Sequence, residues 1–241
     1  MSPQLFVAGA SGYTGRHLVA LARARGLPVI AHLRPGGGRA GERGALVQGW
    51  LDAGAEVVEA AWDAPTLSAL LQQKGVTHAF GLLGITRAGA KAEGARTGQT
   101  PSYDSVDRDL TLLLHQACCA VEPPPRFVYL SSLGADAPGG NAYLRARAAV
   151  EAALRGGACP WTSVRPGFIT GDDRDEARPA ERIGARVTAA GLGLVGALGA
   201  TRLRDRFAPV DGAELAGLLL DAALDPAAAG RVLDLADLRG R

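Results

Sequence analysis

Short apolar runs alternate along this chain with longer segments in which apolar residues recur every three to four positions. Runs of the first kind, bounded by glycine, proline or charge, predict strands, and segments of the second kind predict helices. Strands are expected at 5–8, 28–33, 56–60, 77–83, 126–130, 161–165 and 232–235. Helices are expected at 15–25, 65–73, 103–120, 142–154 and 213–223, the third of them stopped by Pro123-Pro124-Pro125. Strictly alternating strands and helices imply βαβ units, hence an α/β fold with a doubly wound parallel sheet. Two stretches, 86–101 and 172–182, are polar and carry no clear period. Both follow expected strand C-termini, where open α/β sheets bind ligands, so each is either a solvated loop or a lid or cofactor contact.

The 241 residues, 47% of them hydrophobic, suffice for one domain of the larger α/β kind. Too little chain follows the sixth strand for a separate substrate domain, so residues 180–241 are expected to form a small C-terminal lobe. A formal net charge of +2 with 21% charged residues argues against a nucleic-acid protein. The N-terminus has no basic start and only a short apolar run, unlike a secretory signal. The apolar stretch 187–200 is broken by four glycines and falls short of the ~20 residues of a membrane span. A cytoplasmic location is therefore expected. Its inner part, 189–200, is read as core, with an apolar pocket or a dimer surface as alternatives. The cysteines Cys118, Cys119 and Cys159 are read as small buried residues in a reducing compartment. With no CxxC and scattered histidines, no metal is expected.

The most specific signal is Gly9-Ala-Ser-Gly12-Tyr-Thr-Gly15, placed between the first strand and the first helix. Glycines let the backbone turn tightly and approach a pyrophosphate, and the last lets the helix pack close to the strand. The helix N-terminus offers free N–H groups and partial positive charge to the phosphates, and Ser11 and Thr14 can add hydroxyl donors. With βα units behind it, this motif predicts a Rossmann fold that binds a nicotinamide dinucleotide. At the end of the second strand stands Arg34, with no acid before Glu42 and with Arg39 and Arg43 near. An acid there would favour NAD through the ribose hydroxyl, whereas arginine pairs with a 2′-phosphate, so NADP (NADPH) is expected ahead of NAD.

Further segments carry a resemblance. Tyr129-Leu-Ser131-Ser132, Tyr143-Leu-Arg-Ala-Arg147, the run Val164-Arg-Pro-Gly-Phe-Ile-Thr-Gly171 and Val210-Asp211 are similar to the short-chain dehydrogenase/reductase superfamily in its atypical or extended branch. Leu83-Gly84-Ile-Thr86-Arg87, Val106-Asp107-Arg-Asp109, Leu130-Ser-Ser-Leu-Gly-Ala-Asp136 and Asp173-Arg-Asp-Glu-Ala-Arg178-Pro179 resemble the Tat-interacting oxidoreductase family within it. That resemblance implies that Ser11, Gly12, Tyr13 and Thr14 hold the phosphates and that Arg34 takes the 2′-phosphate. It implies Asp63 beside the adenine, and Leu83 and Gly84 beside the nicotinamide ribose. Tyr143 would be the proton donor and residue 147 the ribose contact. Ser132, with Ser131 as the other choice, would orient the substrate oxygen, while Phe168, Ile169 and Arg178 would close over the nicotinamide. Helices starting near Tyr103 and Ala142 would be the face of a homodimer.

A tyrosine, with an ordinary pKa near 10, needs help to exchange a proton at neutral pH. A cation one helical turn away supplies it, and positions four apart share a helix face. The family pattern has lysine there, whereas this chain has Arg147, which keeps the charge and changes the geometry. Asp104, Asp107 and Asp109 are read as first-turn charges and caps. Three functions are compatible: an NADPH-dependent reductase of a small carbonyl compound, an NADPH-binding regulatory or assembly protein with a protein partner, and a sugar-nucleotide epimerase or dehydratase.

Overall fold

The computed structural model describes residues 2–35, 40–171 and 201–240. In chain order these form β1 (Leu5–Ala8), α1 (Tyr13–Ala24), β2 (Val29–Leu33), α2 (Ala40–Asp52), β3 (Glu56–Glu59), α3 (Ala64–Gln73), β4 (His78–Gly81) and α4 (Arg87–Thr97). After a π-helical turn (Asp104–Asp109) come α5 (Leu110–Cys119), β5 (Arg126–Leu130), α6 (Ala142–Gly156), β6 (Trp161–Arg165), α7 (Thr201–Phe207), α8 (Gly212–Leu224), β7 (Arg231–Asp234) and α9 (Leu235–Arg239). The strands make one parallel sheet of seven in the order β3-β2-β1-β4-β5-β6-β7. β1 lies at the point where the order reverses, paired with β2 (Leu5 to Val29) and with β4 (Leu5 to His78).

Side chains along β1 alternate between the two layers, as strand geometry requires. Leu5 and Val7 pack with Leu18 and Val19 of α1 and with Leu215 and Leu219 of α8. Phe6 and Ala8 join the opposite core with Leu67 and Leu71 of α3, Leu114 of α5, and Val150 and Leu154 of α6. Burial on both faces explains why the central strands read as continuous apolar runs. Residues 201–240 of the expected C-terminal lobe pack on this same sheet: β7 is its last strand, aligned Val164 to Leu233, and α8 covers α1. Among the described residues no helix is long and apolar enough to cross a membrane. The apolar stretch 189–200, the charged stretch 172–182 and Arg178 lie outside the described residues.

Two expectations are corrected. The stretch 86–101 is not structureless: its core is α4, started by Thr86, whose hydroxyl accepts from the Gly89 N–H at 2.9 Å. Gly98 ends it in the left-handed conformation. The expected helix 103–120 does not begin as an α-helix. It opens with the π-helical turn, which rotates Asp107 into the interior, where it is fully buried. Asp107 is therefore no first-turn surface charge.

A second buried network fixes α6 to β6. Glu151 accepts from Arg165 at 2.8 and 2.6 Å and from the Ser163 hydroxyl at 3.1 Å, and Arg165 also reaches Asp136 at 2.7 Å. Burial alone would raise the Glu151 carboxyl, but the Arg165 hydrogen bonds and charge outweigh it and hold the group below its ordinary 4.5. A depressed carboxylate stabilises the fold at neutral pH, and that contribution is lost as pH falls below 4.5 through the folded-state value. Urea unfolding followed from neutral to acid pH should show a weaker acid loss of stability in Glu151→Gln than in the wild type. Equal pH slopes would contradict this.

Candidate active site

The turn after β1 is built as a phosphate cradle. Gly9 has φ +83°, a left-handed conformation, and a Cβ there would stand 2.8 Å from the Leu82 carbonyl oxygen on the crossing chain after β4. A Cβ at Gly15 would stand 2.1 Å from the Gly9 carbonyl oxygen and 2.8 Å from the Ala10 Cα. The Gly12 N–H donates to the Gly9 carbonyl at 3.0 Å, closing the turn in front of α1. Ser11 is exposed on it, and Thr14 is buried in the first turn of α1. These residues fit a dinucleotide: the backbone is bare where a pyrophosphate must approach, and a helix N-terminus stands behind it.

The Tyr13 side chain turns elsewhere. Its hydroxyl donates to the Thr170 carbonyl at 3.0 Å and accepts from the Gly212 N–H at 3.2 Å, tying the turn to the chain beyond β6 and to α8. Ile169 bridges to Val210 beside it. Arg34 is exposed at the end of β2, its carbonyl accepting from Arg43 at 3.2 Å, and Arg43 is itself paired with Glu59. Asp63 caps α3 by accepting from the Thr66 N–H at 2.8 Å.

Beyond β4, Leu83 and Gly84 lead to a buried ion pair. Arg147 of α6 donates to Asp107 at 2.7 Å, to the Leu130 carbonyl at 2.7 Å and to the Tyr129 hydroxyl at 3.3 Å. Asp107 also accepts from the Ile85 N–H at 3.0 Å. One pair thus joins the exits of β4 and β5, the π-helical turn and α6. Burial raises the Asp107 carboxyl above its ordinary value against the opposing pull of Arg147 and Ile85. Burial likewise pushes the Tyr129 hydroxyl up to about 12, which removes it from acid–base work at neutral pH. The Arg147 Nε is buried without a partner among the described residues.

Tyr143 stands half-buried in the first turn of α6, positioned by the Asn141 cap, whose side chain accepts from the Leu144 N–H at 3.0 Å. The Arg147 guanidinium lies 5.0 Å from the Tyr143 ring centre, over its face. Tyr103 meets the ring edge-on, with centroids 5.4 Å apart. Tyr103 also lines a cavity of about 420 Å³ with Ile85, Thr86, Lys91, Asp104 and Ala142. Ser132 is half-buried at the exit of β5, whereas Ser131 is buried. The structure therefore brings Tyr143, Arg147 and Gly84 together, and leaves Arg34 and Asp63 at the distal ends of β2 and β3.

Sequence reasoning missed two groups. Asp107 is the ion-pair partner of Arg147, and the V-D-R-D spacing gave no hint of the π-helical register that buries it. His115, Cys119 and Cys159 converge where the end of α5 meets the turn before β6. The signal available was the four-residue spacing of His115 and Cys119 on one helix face.

Comparison with known proteins agrees with this geometry. No curated protein matches the sequence. Among solved structures, the chain is similar to the pinoresinol–lariciresinol and phenylcoumaran benzylic ether reductases at 16% identity, covering 96% of this chain and 69% of that one, with TM-score 0.68. It is similar to leucoanthocyanidin reductase of Vitis vinifera, solved as a binary complex with NADPH, at 14% identity over 98% of this chain and 72% of that one, TM-score 0.66. UDP-glucose 4-epimerase of Brucella ovis, solved with NAD, is similar at 15% identity over 99% and 80%, TM-score 0.66. Identities this low show the fold alone. Residues 9–190 match the family model described as NAD(P)H-binding, and this chain, with its Rossmann-type fold, belongs to that NAD(P)H-binding family.

Proposed function

We propose that the protein is an NADP(H)-dependent reductase of a small carbonyl compound, of the atypical short-chain kind that the Tat-interacting oxidoreductases represent. The observation that carries this reading is the Arg147 guanidinium over the face of Tyr143, whose ring meets Tyr103 at the wall of a largely apolar cavity, in a chain that also builds the glycine turn. When bound, NADPH supplies the hydride. The chain's own residues do the rest. Tyr143 gives its hydroxyl proton to the carbonyl oxygen, Ser132 orients that oxygen, and Arg147 keeps positive charge beside the phenol ring. Ile85, Tyr103 and Ala142 surround the substrate with apolar surface and exclude water. Lys91 and Asp104 at the cavity wall select for a polar substituent on an otherwise apolar compound.

Arg34 is the residue proposed to choose NADP over NAD. Its guanidinium is exposed at the end of β2, while neighbouring Arg43 is engaged by Glu59. Arg34→Ala should weaken NADPH binding about tenfold or more and leave NADH binding nearly unchanged, in line with loss of one charge-assisted phosphate contact worth ~1.5–3 kcal/mol. Nucleotide fluorescence titrations measure both constants. Equal losses for the two nucleotides would remove Arg34 from the cofactor choice.

The test of the whole reading is NADPH oxidation over a panel of aldehydes, ketones and quinones. Turnover with any of them supports the reductase. Arg147 supports a second reading: its guanidinium is committed to Asp107, Leu130 and Tyr129, and it lies over the ring face of Tyr143. Tight NADPH binding with no turnover across the panel would favour that second reading, an NADPH-binding regulatory protein. Nucleotide-sugar binding with no carbonyl reduction would favour an epimerase.

A further inference from the structure

We propose that His115, Cys119 and Cys159 form a binding site for a thiophilic d10 metal ion, zinc foremost, where the end of α5 meets the turn before β6. Their ligand atoms all lie within 4.8 Å of one another. His115 and Cys119 sit one turn apart on α5, so both project from the same helix face. Cys159 comes from the turn between α6 and β6, so the site joins two segments that are 40 residues apart. The Cys119 Sγ stands 3.5 Å from the His115 Nε2 and 2.7 Å from the Cys159 Sγ.

Tetrahedral zinc, with Zn–S near 2.3 Å and Zn–N near 2.0–2.1 Å, separates its ligand atoms by about 3.5–3.8 Å. The imidazole–thiol distance already meets that. The two sulfurs must open by about 1 Å to reach it, and the half-buried Cys119 provides a path for entry from solvent. The imidazole is held for the role: Phe127 packs edge-on against it at 5.4 Å, and a Cβ on Gly157 would lie 2.4 Å from its Cε1. Metal binding would release the thiol protons to solvent and leave a fourth position for water.

The site touches the start of β6 and the end of α5, whereas the glycine turn follows the end of β1. Zinc at His115, Cys119 and Cys159 would therefore staple α5 to the α6–β6 turn without entering the reaction.

The test uses the full chain, stripped with a chelator and titrated with zinc chloride against a chromophoric competitor. One zinc per chain is expected, with a rise in melting temperature. Cys119→Ser and Cys159→Ser should each weaken binding at least tenfold while leaving NADPH binding as in the wild type. Cobalt in place of zinc should give thiolate-to-cobalt charge-transfer absorption in the wild type and lose it in both variants. If Cys159→Ser does not fold, Cys119→Ser carries the comparison, since its side chain is half-buried. Equal zinc retention in wild type and variants would overturn the proposal, as would thiol counting that shows Cys119 and Cys159 bonded to each other after purification with no zinc retained.

Discussion

Asp107→Ala is expected to destabilise the protein by about 3–5 kcal/mol, the usual cost of leaving one member of a buried ion pair without its partner. At roughly 2–4 °C per kcal/mol for a chain of this size, the melting temperature should fall by about 6–20 °C. The size of the effect follows from what the carboxylate holds. Asp107 is fully buried, binds Arg147 at 2.7 Å and accepts from the Ile85 N–H at 3.0 Å. Its removal strands a buried guanidinium and releases the chain that leaves β4. The double variant Asp107→Leu/Arg147→Met should be less destabilised than Asp107→Ala, because no charge is left buried. A drop under ~1 kcal/mol for Asp107→Ala, or additive losses in the double variant, would show that the pair is not coupled.

The second large effect is on turnover. With a carbonyl substrate found by the panel, Tyr143→Phe should lower kcat by about 10²–10⁴, the range of a lost general acid. NADPH binding should change little, because the phenyl ring keeps both its edge contact with Tyr103 and its place beside Arg147. A fall in kcat with an unchanged NADPH constant separates a proton donor from a packing residue. A variant with wild-type kcat would remove Tyr143 from the chemistry and direct attention to Ser132.

Much of this was legible in the chain. Strands at 5–8, 126–130 and 161–165 fall where the pattern puts them: 5–8 and 126–130 are buried along their length and read as apolar runs, and 161–165 is a short β-branched and aromatic segment bounded by Pro160 and Pro166. The glycine turn was legible because its spacing is set by a steric demand of the backbone itself. Helix α4 was not, since RAGAKAEGART has no apolar stripe: it stands over a cavity and buries little, so periodicity is silent. Its signals were only the Thr86 cap, the Gly98 stop and helix-forming composition between them. Asp107 was hidden for a different reason. One extra residue per turn in the π-helical register rotates it inward, and an i, i+3, i+4 template places it on the surface. The role given to Arg34 rests on its place at the end of the second strand, whereas those of Asp63 and Ser132 rest on resemblance, and the side chain of Asp63 is already engaged as a helix cap.

The central claim is that the Gly9–Gly15 turn holds a nicotinamide dinucleotide. The most direct measurement is a titration of the purified chain with NADPH and NADH, followed by nucleotide fluorescence, beside Gly15→Val as control. In that variant the added side chain must displace the Gly9 carbonyl, which would otherwise stand 2.1 Å from its Cβ. The structure predicts saturable one-to-one binding of NADPH to the wild type and its loss in Gly15→Val. Absence of any fluorescence change with both nucleotides in a folded wild type would contradict the claim.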